Sequence, residues 1–477
     1  MIPETIATDV LQNINTQQAW HYMILPYHQE GQMLKLYVSN EQFNDYLEEE
    51  LEVLLGCGID LTQVNGEQLR KEIAKYYRKP NDSRSQEGNS QLEVNDSQHL
   101  LIQLIKEAKS LGSSDIHLEP YEHKARVRIR IDGKLIERYE LDKGEYPSLV
   151  NKIKIRSNLD IAEKRLPQDG RIFFQSESLG RMDVRVSVLP TLHGEKIVLR
   201  ILGNDAGQIQ LESLGFSQQN IQHYLEGIIQ PNGMVLISGP TGSGKTTTLY
   251  ATLQMLNESV RNILTIEDPI EYTLEGINQV QLRENIGLDF PSAMRTFLRQ
   301  DPDVIMVGEI RDQATAAMAI RASLTGHLVL STIHTNSAWG IVARLIDMGI
   351  PAYLLADTLN TAVAQRLLRV LCEDCKTAVP FDPQSLPRGY SVPHHISQQF
   401  SATGCESCYY TGYRGRTAIY EVIPIDMELA NQIKNSELNV NDLLKAKQIG
   451  NLADQAFALL ASGKTSAEEI YSILLSS

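Results

Sequence analysis

Beyond Gly233 the chain repeats one pattern, a short apolar run followed by a longer amphipathic one. MVLIS (234–238), NILTIE (262–267), VIMVG (304–308) and HLVLSTI (327–333) are the apolar runs, each bounded by Gly, Pro or acidic residues. Runs this short read as buried strands rather than helices. Between them the spacing predicts helices from Lys245, near 292–299, and from Gln313 to Thr325. Buried strands alternating with amphipathic helices predict an α/β domain over 216–477, with a mainly parallel sheet covered on both faces.

Upstream the pattern changes. HLLIQLIKEAKSLG (99–112) has helical spacing and a glycine stop. KARVRIRIDGKLIERYEL (124–141) alternates apolar and polar residues about an Asp-Gly pair, a hairpin signal. Its Val127, Ile129 and Ile131 share one face, and Arg126, Arg128 and Arg130 the other, which reads as a solvated strand face. With strands at RMDVRVSVLP and EKIVLRIL, residues 99–202 form a small α+β domain, and the Gly- and polar-rich 203–215 a hinge. Residues 1–77 form a small N-terminal domain, where the run Glu48, Glu49, Glu50 and Glu52 marks the solvated side of a short helix. Residues 78–98 are too polar to bury a core and read as a linker.

With 477 residues, 42% of them hydrophobic, the chain suits roughly three domains. Its net charge of -15 disfavours a motor that grips nucleic acid, which needs a basic stripe. No apolar run reaches the ~18–20 residues of a membrane span, and MIPETIATDV is not a secretory signal. The expectation is a cytoplasmic protein that meets a membrane only through partners.

Gly239-Pro240-Thr241-Gly242-Ser243-Gly244-Lys245-Thr246, followed by Thr247, satisfies the phosphate-binding pattern G-x-x-x-x-G-K-[ST] between a strand and a helix. The glycines let backbone N–H groups turn toward phosphates, and the helix N-terminus adds positive potential. Lys245 is then placed for the β- and γ-phosphates of ATP, and the Thr246 hydroxyl for Mg²⁺. A second strand ends in Gly308-Glu309, so Glu309 can hold Mg²⁺ or orient the attacking water. A third runs into Glu267, Asp268 and Glu271, three carboxylates that repel one another unless a cation sits among them. A fourth delivers His334, either a structural residue or a reporter of the γ-phosphate. Arg185, Arg200, Arg295 and Arg299 flank these motifs, and spacing alone leaves each a surface charge or a finger for phosphoryl charge.

Four of the five cysteines form two CxxC pairs, Cys372/Cys375 and Cys405/Cys408, separated by residues 376–404. Paired thiolates of this kind suit a closed tetrahedral Zn²⁺ site, with redox pairs or free thiols as the alternatives. Cys57 reads as a buried small hydrophobe.

From SSDIHLEPYEHKARVRIRIDG (113–133) to the C-terminus, the ordered motifs resemble the hexameric ATPases of type II secretion and type IV pilus assembly, GspE- and PilB-like. They are NLDIAEKRLPQDGRI, GPTGSGKTTTLYA, TIEDPIEY, FLRQDPDVIMVGEIRD, GHLVLSTIHTNSA, AQRLLRVLCEDC and GCESCYYTGYRGR. The resemblance implies a PAS-like α+β domain joined to a RecA-like P-loop NTPase domain with a zinc-binding insert (about 370–415), six chains to a ring. It makes TIEDPIEY the family's Asp box, the Glu309 strand its Walker B and the His334 strand its His box. It also gives Glu267, Glu309, Lys245, His334, Arg185 and Arg200 catalytic roles, and Arg295 and Arg299 nucleotide contacts. The partners it implies are an inner-membrane platform protein and the cytoplasmic domain of a membrane-anchoring protein. Residues 1–77 match the family loosely and carry no docking motif. Type II secretion leads, with type IV pilus extension as the alternative; a DNA-transport ATPase and a non-hydrolysing nucleotide-gated scaffold are more distant rivals.

Overall fold

A computed structural model describes residues 6, 8–11, 13–14, 16–31, 33–40, 42–44, 46–77, 97–176, 180–202, 210–383, 386–387 and 396–476. The expected linker, 78–98, lies outside the described residues up to 96, and Ser97 already opens a helix. Most of the expected hinge, 203–209, also lies outside them; its last part is a 3₁₀ turn, Leu211–Leu214, with Leu211 buried. The chain divides into two units, Met1–Ile201 with Val370–Pro380 and Gln398–Gly415, and Leu202–Arg369 with Phe381–Ser397 and Arg416–Ser477.

In the first unit, α1 (Thr8–Leu11), α2 (Thr16–His21), β1 (Ile24–Glu30), β2 (Met33–Ser39), α3 (Leu47–Leu55), β3 (Gly58–Val64) and α4 (Gly66–Tyr76) form a small sheet with helices. β1 and β2 are antiparallel, β2 and β3 parallel. Ile24, Leu25, Leu34, Leu36, Leu51 and Leu69 make its core. Cys57 is half-buried at the edge of that core rather than within it.

The same unit holds α5 (Ser97–Ser110), β4 (Asp115–Pro120), β5 (Lys124–Ile131), β6 (Lys134–Asp142), α6 (Tyr146–Arg156), β7 (Gln168–Ser176), β8 (Gly180–Thr191) and β9 (Gly194–Leu202). Its six strands run in the order β6-β5-β4-β9-β8-β7. Asp132 and Gly133 both have positive φ, 48° and 87°, as a tight hairpin turn demands, and the alternation in β5 buries Val127, Ile129 and Ile131. The opposite face departs from the expected solvated arginine row. Arg126 and Arg128 are paired to Glu119 at 2.9 and 2.8 Å, and Arg130 to Asp115 at 3.4 Å. Neighbouring strands supply the carboxylates, which single-strand periodicity does not reveal.

The second unit is the expected α/β domain. It comprises α7 (Gln218–Ile228), β10 (Gly233–Ser238), α8 (Lys245–Leu256), β11 (Ile263–Glu267), β12 (Asn278–Gln281), α9 (Phe290–Phe297), β13 (Val304–Val307), α10 (Gln313–Leu324), β14 (Leu328–Ile333), α11 (Gly340–Asp347) and α12 (Ala352–Thr358). β15 (Leu359–Leu371) and β18 (Tyr413–Pro424) complete its sheet; the cysteine segment between them, with β16 (Thr377–Pro380) and β17 (Gln398–Ser401), is assigned to the first unit and not to the α/β domain in which the sequence placed it. Four C-terminal helices follow, α13 (Met427–Lys434), α14 (Asn441–Ala446), α15 (Leu452–Ala461) and α16 (Ala467–Ser476).

Every residue of β10, β11, β13 and β14 is buried, because helices cover both faces of the sheet. The strand order is β12-β11-β13-β14-β10-β15-β18, and β12 through β15 pair in parallel. Register brings Ser238 beside Ile333, and Val307 beside Ile266 and Ser331. The carboxyl ends of four strands therefore open on one edge of the sheet, where α/β folds bind ligands.

Candidate functional site: the P-loop edge of the seven-stranded sheet

The loop between β10 and α8 is crowded from one side. A Cβ on Gly239 would lie 2.5 Å from the Gln365 carbonyl oxygen, and one on Gly244 would lie 2.9 Å from Gln365 Nε2. Glycine is required because β15 presses against the loop. Lys245 opens α8, is nearly buried, and donates to the carbonyls of Gly239 at 2.7 Å and Pro240 at 3.1 Å. Burial pushes its ammonium down to about 8; Glu309 pulls it up and Arg366 adds to the depression. The buried Ser243 hydroxyl has no hydrogen-bond partner. A lysine folded onto its own loop and an unpartnered hydroxyl fit a polyphosphate, which supplies acceptors for both. Thr246 is exposed in the first turn of α8.

Glu309 emerges from β13 on the same edge. Its carboxylate pairs with Arg311 and lies 3.4 Å from His334 Nε2, so the ends of β13 and β14 are joined there. Gly308 precedes it because the backbone of β11 is close: a Cβ would sit 3.3 Å from the Ile266 oxygen, and Gly308 N already donates to that oxygen at 2.8 Å. The glycine that replaces the more usual aspartate is thus a packing requirement. His327, at the start of β14, has Nδ1 2.9 Å from the Ala322 carbonyl and so closes the end of α10.

Glu267 ends β11, but its carboxylate points into the domain. It accepts from Tyr250, from Thr265 at 2.6 Å and from Gln279 at 3.1 Å. Asp268 beside it is exposed. The expected convergence of Glu267, Asp268 and Glu271 on a cation is not formed; among the described residues only the four cysteines make a metal-ligating cluster. Hydroxyl and amide donors surround the Glu267 carboxylate.

Arg295 and Arg299 are exposed at and just beyond the end of α9, with Arg299 donating to the Arg295 carbonyl at 3.0 Å. Arg185 lies on β8, opposite Arg171 of β7, and Arg200 on β9 pairs with Asp115 at 3.1 Å; both belong to the first unit. Sequence reasoning missed Gln365 and Arg366 on β15 and Glu421 on β18, all buried near the loop. The signal was present, since each is a polar residue inside an otherwise apolar strand, AVAQRLLRVL and AIYEVIP.

The cysteines form a separate centre. Sγ separations are 3.8 Å for Cys372–Cys405 and 3.7 Å for both Cys375–Cys408 and Cys405–Cys408. Four thiolates about 2.3 Å from one Zn²⁺ in a tetrahedron stand about 3.8 Å apart, so the cluster fits that ion with no position left open. Backbone N–H groups of Cys405 and Gly412 point at Cys408 Sγ at 3.1 and 3.3 Å, the outer-shell support such a site uses.

A parallel sheet with a P-loop at one strand end, a carboxylate at a second and a histidine at a third defines a P-loop ATPase of the RecA-like kind. The family model for "Type II/IV secretion system protein" matches residues 91–472, and the chain belongs to that family. It is 46% identical over 373 residues to Type II secretion system protein E of Pseudomonas aeruginosa, covering 78% of this chain and 74% of the relative. It is 38% identical over 490 residues to the Type IV pilus assembly ATPase PilB of Myxococcus xanthus, covering 98% and 86%. Among solved structures, the pilus retraction motor PilT with bound ADP matches at 26% identity and a TM-score of 0.53, over 79% of this chain and 96% of its own. The Legionella pneumophila ATPase DotB, at 22% identity and a TM-score of 0.59 over 79% and 95%, shares the fold. This chain is a secretion or pilus-assembly ATPase. None of its described helices is long and apolar enough to cross a membrane.

Proposed function

We propose that this chain is a cytoplasmic motor, six copies to a ring, that hydrolyses ATP to drive pseudopilus assembly and type II secretion through an inner-membrane platform protein. The carrying observation is that the P-loop, Glu309 and His334 open on one edge of one sheet, Glu309 facing His334 at 3.4 Å. Gly239 to Thr247 hold the phosphates, and Lys245 leaves its own carbonyls for theirs. Thr246 and Glu309 hold Mg²⁺, which when bound neutralises charge on the phosphates. Glu309 orients the attacking water, with Glu267 as the second acidic residue and His334 as the group that senses phosphate through Glu309. Arg185, Arg200, Arg295 and Arg299 are the guanidiniums this reading sets against charge on the transferred phosphoryl group. Cys372, Cys375, Cys405 and Cys408 hold Zn²⁺ in a structural role. Membrane association comes through the platform and a membrane-anchoring partner, and nucleic acid is not a substrate.

Pilus extension is the second reading, favoured by the pilus-assembly relative that matches nearly the whole chain. Lys245→Ala tests both and the scaffold rival together. Phosphate release falls by about a hundredfold or more, and complementation of secretion or of piliation is lost. A variant that hydrolysed ATP at the parental rate would end the motor reading; loss of only one phenotype identifies the apparatus.

A further inference from the structure

The loop that follows β14, His334 to Trp339, is held by two strands other than its own. Arg366 of β15 donates to the Asn336 carbonyl at 2.8 Å. Ser238 at the end of β10 donates to the Ser337 carbonyl at 3.3 Å. Two consecutive loop residues are thus tied to two neighbouring strands of the sheet, β15 and β10. On the next strand, β18, the backbone of Ala338 favours the charged form of Glu421.

The Arg366 tie is expensive. Arg366 and its neighbour Glu421 are each about 6% exposed, and among the described residues neither makes an ion pair. Burying two such charges without direct pairing is not a way to stabilise a core; apolar residues of similar volume do that better. Burial pushes the Glu421 carboxyl up to about 7 and the Arg366 guanidinium down, so both carry the cost of desolvation. The Arg366 hydrogen bond reaches the segment that begins at His334. The other face of Arg366 touches the P-loop: its NH1 donates to the Gln365 carbonyl at 3.0 Å and lies 3.2 Å from where a Cβ of Gly239 would be. Gln365 accepts from Thr248 of α8 at 3.0 Å.

We propose that Arg366 is a positioning residue for ATP turnover, a buried strut that spans from the phosphate loop at Gly239 to Asn336 and so sets His334 against Glu309. It reaches the reacting atoms only through that loop. When the P-loop shifts around phosphates, the guanidinium carries the shift to the His334 loop, because it packs on Gly239 on one side and donates to the Asn336 carbonyl on the other. The inference rests on the ATPase reading of the P-loop and adds a residue that neither the motifs nor their spacing assign.

The test is steady-state MgATP hydrolysis by full-length Arg366→Gln and Arg366→Lys, with thermal midpoints and with Lys245→Ala as control. Arg366→Gln is expected to lower kcat by about 10- to 100-fold with KM within about threefold, while Arg366→Lys, which keeps the charge but loses the fork, falls between it and the parent. If Arg366→Gln does not fold, a folded Arg366→Lys with kcat reduced by about threefold or more and KM unchanged supports the proposal. A folded Arg366→Gln with kcat within twofold of the parent overturns it. So does a loss carried entirely by KM, which would make Arg366 a binding residue, or an unfolded Arg366→Gln beside an Arg366→Lys at parental kcat, which would make its role purely structural. Full turnover in Lys245→Ala would remove the ATPase reading itself; an inactive Lys245→Ala beside an unaffected Arg366→Gln removes the strut alone.

Discussion

On the six-stranded sheet, Glu119 accepts from Arg126 at 2.9 Å and Arg128 at 2.8 Å and pairs with Lys196 at 2.9 Å, whereas Lys245 at the start of α8 has, among the described residues, only the carbonyls of its own loop. Both sites are buried charge, and their titration runs in opposite senses. Burial pushes the Glu119 carboxyl up, but hydrogen bonds from Arg128, Lys196 and Arg126 outweigh it and hold the group at about 2. At the P-loop, burial wins and Lys245 falls to about 8; on β18 it raises Glu421 to about 7. Charges that satisfy one another belong to the fold. Charges left short of partners are held ready for something that is not protein.

That contrast can be broken from either side. The largest effect falls at the P-loop edge. Glu309→Gln is expected to cut kcat by about 100- to 1,000-fold and leave the thermal midpoint nearly unchanged, because its partners Arg311 and His334 are themselves largely exposed. Phosphate release and differential scanning fluorimetry on one preparation would read both. A midpoint that fell in step with activity would place Glu309 with the structural charges.

Glu119→Gln is the mirror case. The folded carboxyl titrates near 2, below its ordinary 4.5, so it stabilises the fold above 4.5 and that contribution is lost as pH falls from 4.5 toward 2. The substitution should cost about 2 kcal/mol of unfolding free energy at neutral pH, with the gap from the parent narrowing on acidification. Chemical denaturation at several pH values measures it. A gap that stayed constant with pH would mean that packing, not the charge, stabilises this face.

The smallest effect concerns Lys245. Above about 8 its ammonium loses its proton, and a neutral amine does not attract phosphate. Affinity for MgADP should therefore weaken by about tenfold between about pH 7 and about pH 9, read by calorimetry. A flat profile would show that the loop keeps its lysine charged without nucleotide, and the two regions would then differ less than their titration implies.

The phosphate loop was readable because five of its residues are dictated locally: Gly239, Gly242 and Gly244 by backbone shape, Lys245 and Thr246 by reach from a helix start. The strands β10, β11, β13 and β14 were readable because a sheet covered on both faces demands uninterrupted apolar runs. The cysteine pairs were readable from spacing, and Sγ separations near 3.7 Å bear out one tetrahedral cluster. Carboxylate direction was not readable. Glu267 and Glu309 end neighbouring strands in similar motifs, yet Glu267 turns inward to Tyr250, Thr265 and Gln279, while Glu309 turns to Arg311 and His334.

The sequence by itself determined the parallel sheet, the P-loop, the tetracysteine insert and, through its ordered motifs, the kind of ATPase this is. Those follow from periodicity and fixed short spacings, which act within a few residues. Only the tertiary structure decided which charges are spent on one another, as with Glu119 and its three basic partners, and which are held buried without an ion pair among the described residues, as with Arg366 beside the phosphate loop and Glu421 on β18. Those choices depend on strands distant in sequence arriving side by side, and on the loss of water that follows.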